Sequence, residues 1–567
     1  MSPHLTRKGF CIAAASAVFL MAGVVTESWS LMALGMFLLT AIMASFVYFI
    51  PKSAAVRRRM LELAWWIPNI ELSRGAVVPN TPFPLKIYIR NKAPFSLGWA
   101  RITAIKSPSV IMEEEPPPLR LAGLSETGAT CSLSVSASGH WFLHGAAMSI
   151  TDALGFFEMD AYFATSLEIR VFPALSLRPL RHIRGASVGA PHQRTGAHRR
   201  KFTGFGGELR EIRDHRPGDP FKQIAWAATA RFRRLMVTEY ESEILMNHHL
   251  VLDISSTMRD REPGRSKLDY GVDFCASFAK EALDGGDRVS LTTVDSRILG
   301  KIKLSEGRTH LYRIVEHLME VHHVIDEDLT DLTDMELVEA VAVYLLYQEG
   351  FDVRLRNIPP PGHDLWKEIL VGPSGQIFNV NALASWAKGV LNRLKQDPQR
   401  APNWLKLQNR SPSKKPKMAS LRQICRLKGI NVPYRTGFLP ENKAGGIARA
   451  IRFIASTHRS HHIVLVTDLM GIQVKGALKA SIELARRRHN QVTVLCPFAP
   501  MFGDEKNKKE NSLLHRVFAA DEMKNLSPVF RELATLGVKV EMGSPNKVAR
   551  TLGIGSSMLN QTKVKAA

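Results

Sequence analysis

The chain is poor in the features that define several common protein classes. Its 567 residues hold five cysteines, Cys11, Cys131, Cys275, Cys425 and Cys496, which are scattered and form no CxxC pair. An odd, dispersed set argues against a disulfide framework and against a structural zinc site, and it suits a reducing compartment. There is no P-loop and no H-E-x-x-H pair, and the one G-x-S-x-G match, Gly185 to Gly189, lies in a basic, apolar-poor stretch without the apolar strand that leads into a nucleophile elbow. Nucleotide hydrolysis, serine acyl transfer and zinc proteolysis therefore lack their usual frameworks. No internal repeat is present. Acidic residues are few beside basic ones, 52 Asp and Glu against 75 Lys and Arg, for a net charge of +23. That balance favours an acidic partner, whether nucleic acid, anionic lipid or protein, without choosing among them. With no zinc finger or RNP sequence, nucleic-acid or anionic-surface binding is an alternative carried by charge alone.

Long apolar runs are confined to the N-terminus. Phe10 to Val25 carries no charge, Glu27-Ser28-Trp29-Ser30 interrupts, and Leu31 to Ile50 follows before Pro51 and Lys52. The second run matches the roughly 20 residues that cross a bilayer, and the first is usable with its flanks. A cleaved signal peptide is the competing reading of the first run, but no clear small-x-small cleavage site accompanies it. Arg7 and Lys8 precede the pair, and Lys52 and Arg57 to Arg59 follow it. The positive-inside rule then puts both ends, and the whole body, in the cytoplasm. The Arg57–Arg59 cluster would face anionic lipid headgroups.

The length predicts three or so units. After a two-span hairpin at 1–60, residues 61–175 alternate as short strands should: Leu85 to Arg90, Leu133 to Ala137 and Leu167 to Val171. Frequent prolines between them suggest a small β-sandwich. Residues 176–205 are basic and low in apolar side chains, and read as a linker. Strands then alternate with helices over 206–325 and 436–567, the pattern of a mainly parallel, doubly wound α/β sheet. Between these halves, 326–435 opens acidic, turns basic, and reads as an insertion whose QNRSPSKKPK stretch (408–417) is flexible.

The densest chemical signal is His249 to Met258, HLVLDISSTM. A buried strand ends in Asp253, and Ser255 and Thr257 follow at alternate positions. Such a loop lies at the C-terminal edge of a sheet, where open α/β folds hold ligands. Oxygen-only ligation suits Mg²⁺, Mn²⁺ or Ca²⁺ rather than zinc, and Mg²⁺ or Mn²⁺ is the expected ion. The bland reading is a helix N-cap, for which Ser, Thr and Asp are the usual residues. His248-His249 and His461-His462 flank the two strands that end in Asp253 and Asp468 and invite a hydrolase reading. Adjacent strand residues point to opposite faces, so at most one of each pair reaches a given site.

Upstream the order is Glu211-Ile212-Arg213-Asp214-His215-Arg216-Pro217-Gly218-Asp219, then Ile224-Ala225-Trp226, Ala230-Arg231 and Leu235 to Glu239. Pro217-Gly218 is a turn dipeptide, and Trp226 and Arg231 could fix that turn or meet a partner. A basic lead, PGD, I-x-W, A-R and a strand ending in D-x-S-x-T together resemble the domain-of-unknown-function fifty-eight family, a bacterial branch of von Willebrand factor A-like proteins. Ile150 to Phe157 and Val171-Phe172-Pro173 look like that family's β-domain. The resemblance implies a von Willebrand factor A-like sheet and a bacterial inner-membrane location. It also implies a metal-ion-dependent adhesion site with Asp253, Ser255, Thr257 and Asp468 as ligands. One further hydroxyl is expected where this chain has Ile447; Thr309, Thr330 and Thr333 fit the topology less well. Partners implied are a MoxR-type AAA+ ATPase and an acidic protein ligand at the metal, with no enzymatic activity.

Overall fold

The computed structural model describes residues 3–58, 60–68, 76–107, 109–152, 154–163, 165–173, 198–219, 221–244, 246–259, 266–355, 360, 369–372, 375–396, 415–430, 432–435, 440–457, 461–498 and 512–542. The chain forms two compact units: Met1–Phe172 with His323–Lys406 and Pro412–Tyr434, and Pro173–His322 with Leu407–Ser411 and Arg435–Ala567.

In the first unit, two helices, Arg7–Val25 and Trp29–Arg57, are long and apolar enough to cross a membrane. The second has 29 residues. At 1.5 Å per residue it is about 43 Å long, well beyond a hydrocarbon core of ~30 Å. Its last turns are accordingly buried in protein: Phe49, Ser53, Ala55 and Val56 are at most 5% exposed. The turn after Thr151 is their seat. Asp152 Oδ1 accepts the Phe156 N–H at 2.7 Å, and the same carboxylate accepts the Ser45 hydroxyl of the long helix. Thr6, which caps the first helix, donates to Gly155 O at 2.6 Å. Both helices therefore dock on the β-rich region at the ends away from their shared tip.

That region has a seven-stranded and a four-stranded sheet around one apolar core. Phe83–Asn91 shows why: Leu85, Ile87 and Ile89 are buried while Lys86 and Arg90 are exposed, the period of a half-buried strand. The segment expected as an insertion contributes helices Asp334–Tyr344, Val380–Gln396 and Pro416–Lys428, which share a core of their own. It belongs to this first unit, where the His323 ring lies 5.5 Å from Trp141 and donor-range contact joins His323 Nε2 to His140 O at 2.5 Å. Of the expected flexible stretch, 408–414 lies outside the described residues, and Pro416 already opens a helix.

The second unit holds a six-stranded sheet. Its strands are β1 (Asn247–Asp253), β2 (Arg288–Val294), β3 (Ile298–Ser305), β4 (His462–Val466), β5 (Gln491–Cys496) and β6 (Lys539–Met542), in the order β3-β2-β1-β4-β5-β6. All pairings are parallel except β2 with β3. Its helices are α1 (Lys267–Asp284), α2 (Arg308–Met319), α3 (Pro440–Ala455), α4 (Gly476–Arg487) and α5 (Ser512–Thr535). They cover both faces. Gly271 of α1 approaches Leu252 and Val466, while Ile447 and Ile451 of α3 share a core with Val251, Ile463 and Leu465. Helix α1 starts at a capping box, Ser266 with Asp269, which contributes about 1 kcal/mol.

Two boundaries differ from the sequence reading. The basic stretch expected as a linker to 205 gives way at His198 to the strand His198–Asp214, which pairs with Met236–Ile244 as a separate hairpin; 176–197 lies outside the described residues. Helix α3, expected from about Gly446, begins at Pro440. That extension decides the chemistry of the site.

Candidate functional site

Strand order reverses at β1, whose neighbours are β2 and β4, and such switch points open a crevice beyond the strand ends. Asp253 ends β1 and Asp468 lies just past β4. The structure brings Asp253, Ser255, Thr257 and Asp468 together there. Asp253 Oδ1 accepts the Ser255 N–H at 3.0 Å, and its Oδ2 accepts Thr467 Oγ1 at 2.7 Å. Ser255 Oγ and Thr257 Oγ1 are 3.2 Å apart, and Thr257 Oγ1 donates to Asp468 Oδ1 at 3.2 Å.

The group at the centre of these oxygens is one the sequence reading missed, Lys443. Its Nζ is 2.8 Å from Asp253 Oδ2, donates to Thr257 Oγ1 at 2.9 Å and donates to Asp468 Oδ1. Lys443 is 1% exposed, and Asp253 and Asp468 are 0% exposed. Burial works to lower the lysine's pKa, but the two carboxylates overcome it and hold the ammonium above its ordinary value. Burial alone would likewise raise Asp468, and Lys443 and Lys267 hold it below the usual carboxylate range. Among the described residues Asp468 Oδ2 accepts no hydrogen bond; Lys267 Nζ stands 3.9 Å from it and is bonded to Glu522.

Helix geometry explains the miss. Residues four apart share a helix face, so Lys443 lies one turn before Ile447 on the inward side. Ile447 itself is 1% exposed and packs in the core, with no hydroxyl to offer. A lysine in register with a buried isoleucine was the available signal, hidden because the helix was begun too late. Thr330 accepts from Arg422 and Thr333 caps a helix, both in the first unit.

These contacts test whether a divalent ion fits. Mg²⁺ or Mn²⁺ would need the same inward oxygens of Asp253, Thr257 and Asp468, with waters completing its shell. A protonated ammonium already holds those three oxygens and repels a second cation. With Lys443 in place the residues do not fit the ion.

The histidines gather at the other end of the same strands. His248 Nδ1 is 3.1 Å from His462 Nδ1, His248 Nε2 is 3.1 Å from Asp287 Oδ2, and His462 Nε2 is 3.0 Å from Thr493 Oγ1. His249 meets His461 at 3.2 Å and Ser290 Oγ at 2.5 Å. Five residues of strand, about 17 Å, separate His248 from Asp253, so the two groups cannot share a reacting atom.

The PGD segment divides into two parts. Arg213 grips Asp219 with both terminal nitrogens, each at 2.8 Å, and the Arg216 N–H adds a third bond at 2.8 Å. Arg213 thereby holds the Asp219 carboxyl well below the usual range. Between them Pro217 sets the turn and Gly218 takes φ +103°, which a side chain would resist. That half is structural. The following half is exposed: Phe221 79%, Trp226 64% and Phe232 56%, with Arg231 also exposed.

Residues 211–343 match a family described as "Protein of unknown function DUF58". The match spans the PGD turn and Asp253 and ends before Lys443 and Asp468. No curated protein matches the chain. Solved structures similar to parts of it include a FixG-related protein from Vibrio parahaemolyticus, at 9% identity over 19% of this chain and 96% of that one, with a TM-score of 0.12. A CARDB domain from Pyrococcus furiosus is 12% identical over 20% of this chain and 91% of its own, with a TM-score of 0.14. Salmonella alpha-2-macroglobulin reacted with methylamine is 11% identical over 76% of this chain and 26% of its own, with a TM-score of 0.18. At these scores none carries a structural or functional argument.

Proposed function

We propose that this chain is a membrane-anchored, non-enzymatic protein-interaction module with a von Willebrand factor A-like α/β domain. It works beside a MoxR-type AAA+ ATPase in assembling or activating other complexes, at the bacterial inner membrane with its body in the cytoplasm. The observation that carries this reading is the exposure of Phe221, Trp226 and Phe232 in the two short helices, Phe221–Gln223 and Trp226–Phe232, that follow the turn clamped by Arg213 and Asp219. Large aromatics held out on a rigid support are the usual anchors of protein interfaces. Arg216, Lys222, Arg231 and Arg233 lie among them, so the partner face is acidic as well as apolar. Without a P-loop in the chain, ATP-driven work falls to the partner.

In the alternative form of this reading, Mg²⁺ or Mn²⁺ on Asp253, Ser255, Thr257 and Asp468 takes a carboxylate from the partner. That form requires Lys443 to leave a site where it is fully bonded, so the hairpin is the better docking element. The test is co-purification of the ATPase with the full-length chain from membranes. Trp226→Ser with Phe232→Ser is expected to lower capture by at least about tenfold, the scale of aromatic anchors. Undiminished capture by that folded double variant would reject the hairpin as the docking element.

A further inference from the structure

We infer that Lys443 is a built-in cation: its ammonium holds the position between Asp253, Thr257 and Asp468 that a divalent ion would need, so this edge of the sheet is closed and indifferent to metal. An ammonium has three N–H donors and no acceptor. Here three oxygens receive them: Asp253 Oδ2, Thr257 Oγ1 and Asp468 Oδ1. No donor is left for an incoming carboxylate.

The fold aims the lysine inward. Gly446 lets α3 lie against the loop after β2: a Cβ there would sit 1.8 Å from Asp295 O. That close approach sets the first turns of α3 over the strand ends, and Ile447 on the same face is locked in the core. Lys443 has only the crevice to enter. Charge is balanced in the same way. One ammonium offsets one of the two carboxylates, and Lys267, 3.9 Å from Asp468 Oδ2, supplies a second positive charge. Two lysines thus divide between them the charge of one divalent ion. Glu522 of α5 binds Lys267 and ties a further helix to the cluster. The raised pKa of Lys443 agrees with this, since the amine stays protonated at any physiological pH.

The inference concerns the edge that only the metal-dependent form of the interaction reading uses, and it needs no partner, so the two fail separately. The experiment is Mn²⁺ binding by the full-length chain in detergent, read by electron paramagnetic resonance. Wild type is expected to show no Mn²⁺ binding that Asp253→Asn removes, and the same unfolding midpoint in chelator as in millimolar Mg²⁺. Lys443→Ala is expected to gain Mn²⁺ binding at least about tenfold tighter than wild type, using the oxygens vacated. Adding Asp253→Asn to that variant should abolish the gain. Asp253-dependent binding by wild type overturns the inference, and so does a folded Lys443→Ala that gains none. Should Lys443→Ala not fold, reductive methylation of the native wild-type chain decides. Lys443 is expected to stay protected with chelator present, and methylation at the rate of surface lysines would overturn the proposal.

Discussion

Strands β1 and β4 bury polar groups at both ends by opposite means. At the C-terminal end two carboxylates are held as ions, and a lysine supplies the counter-charge. At the N-terminal end four histidines bond in pairs, and burial keeps His249 neutral by pushing its pKa down to about 3, with His461 and His248 adding to the effect. Most of the polar groups at both ends are buried, so each must be matched by charge or by hydrogen bonds. The charged end is the more fragile to single changes, because removing one ion strands another. The histidine end is the more sensitive to protons.

The largest effect that would sharpen this contrast is Lys443→Met. Leaving Asp253 and Asp468 buried without their partner should cost about 3–5 kcal/mol. Adding Asp253→Asn and Asp468→Asn turns the charged end into a neutral one and should recover most of that loss. Thermal unfolding of the α/β unit within the full chain measures both. A triple variant as unstable as the single one would show that the cluster is held by shape, and the contrast of mechanism would fail.

Acid tests the other end. A histidine whose folded pKa lies below its unfolded value of about 6.5 binds protons in the unfolded chain first. Its contribution is intact above pH 6.5 and shrinks as pH falls toward 3. For His249 the loss by pH 5 is on the order of 1–2 kcal/mol. The lysine cluster has the opposite limits. Lys443, raised above its unfolded value, keeps its contribution until pH rises past the ordinary lysine range. Asp468, lowered, keeps its contribution until pH falls below the ordinary carboxylate range. Between pH 7 and 5 the wild type should lose stability and His249→Gln should lose less of it. Equal slopes for the two proteins would assign the acid response elsewhere.

Much of this architecture was legible in the sequence. Alternation in Phe83–Asn91 and the apolar run ending at Asp253 depend on local side-chain period, and a short window records that. The convergence of Asp253, Ser255, Thr257 and Asp468 was also readable, since two strands that end in acids place them at one edge. Lys443 was not. Its role depends on where α3 begins and on how closely Gly446 approaches Asp295, which is a tertiary matter. The membership of His323–Lys406 and Pro412–Tyr434 in the first unit was equally hidden, because an insertion's sequence does not say against which body it packs.

A smaller effect separates the buried ion cluster from a helix cap. Ser266 and Asp269 form a reciprocal cap at the start of α1, beside the charged end. Ser266→Ala should cost about 1 kcal/mol, well under the loss from Lys443→Met. A cost as large as the lysine's would mean that α1, rather than ion pairing, carries the stability of that edge.

The smallest stability effect belongs to the exposed hairpin, and it tests whether the polar balance of the buried ends has any counterpart there. Trp226 is 64% exposed and makes no side-chain hydrogen bond among those described, so Trp226→Ser should change unfolding by no more than about 0.5 kcal/mol. Arg213 and Asp219, a quarter exposed or less and doubly bonded, hold the turn on which it stands. If Trp226→Ser destabilises the chain as much as Asp219→Ala does, the tryptophan packs as part of the fold. If it leaves stability unchanged while partner capture falls, the hairpin spends its exposed aromatic surface on binding.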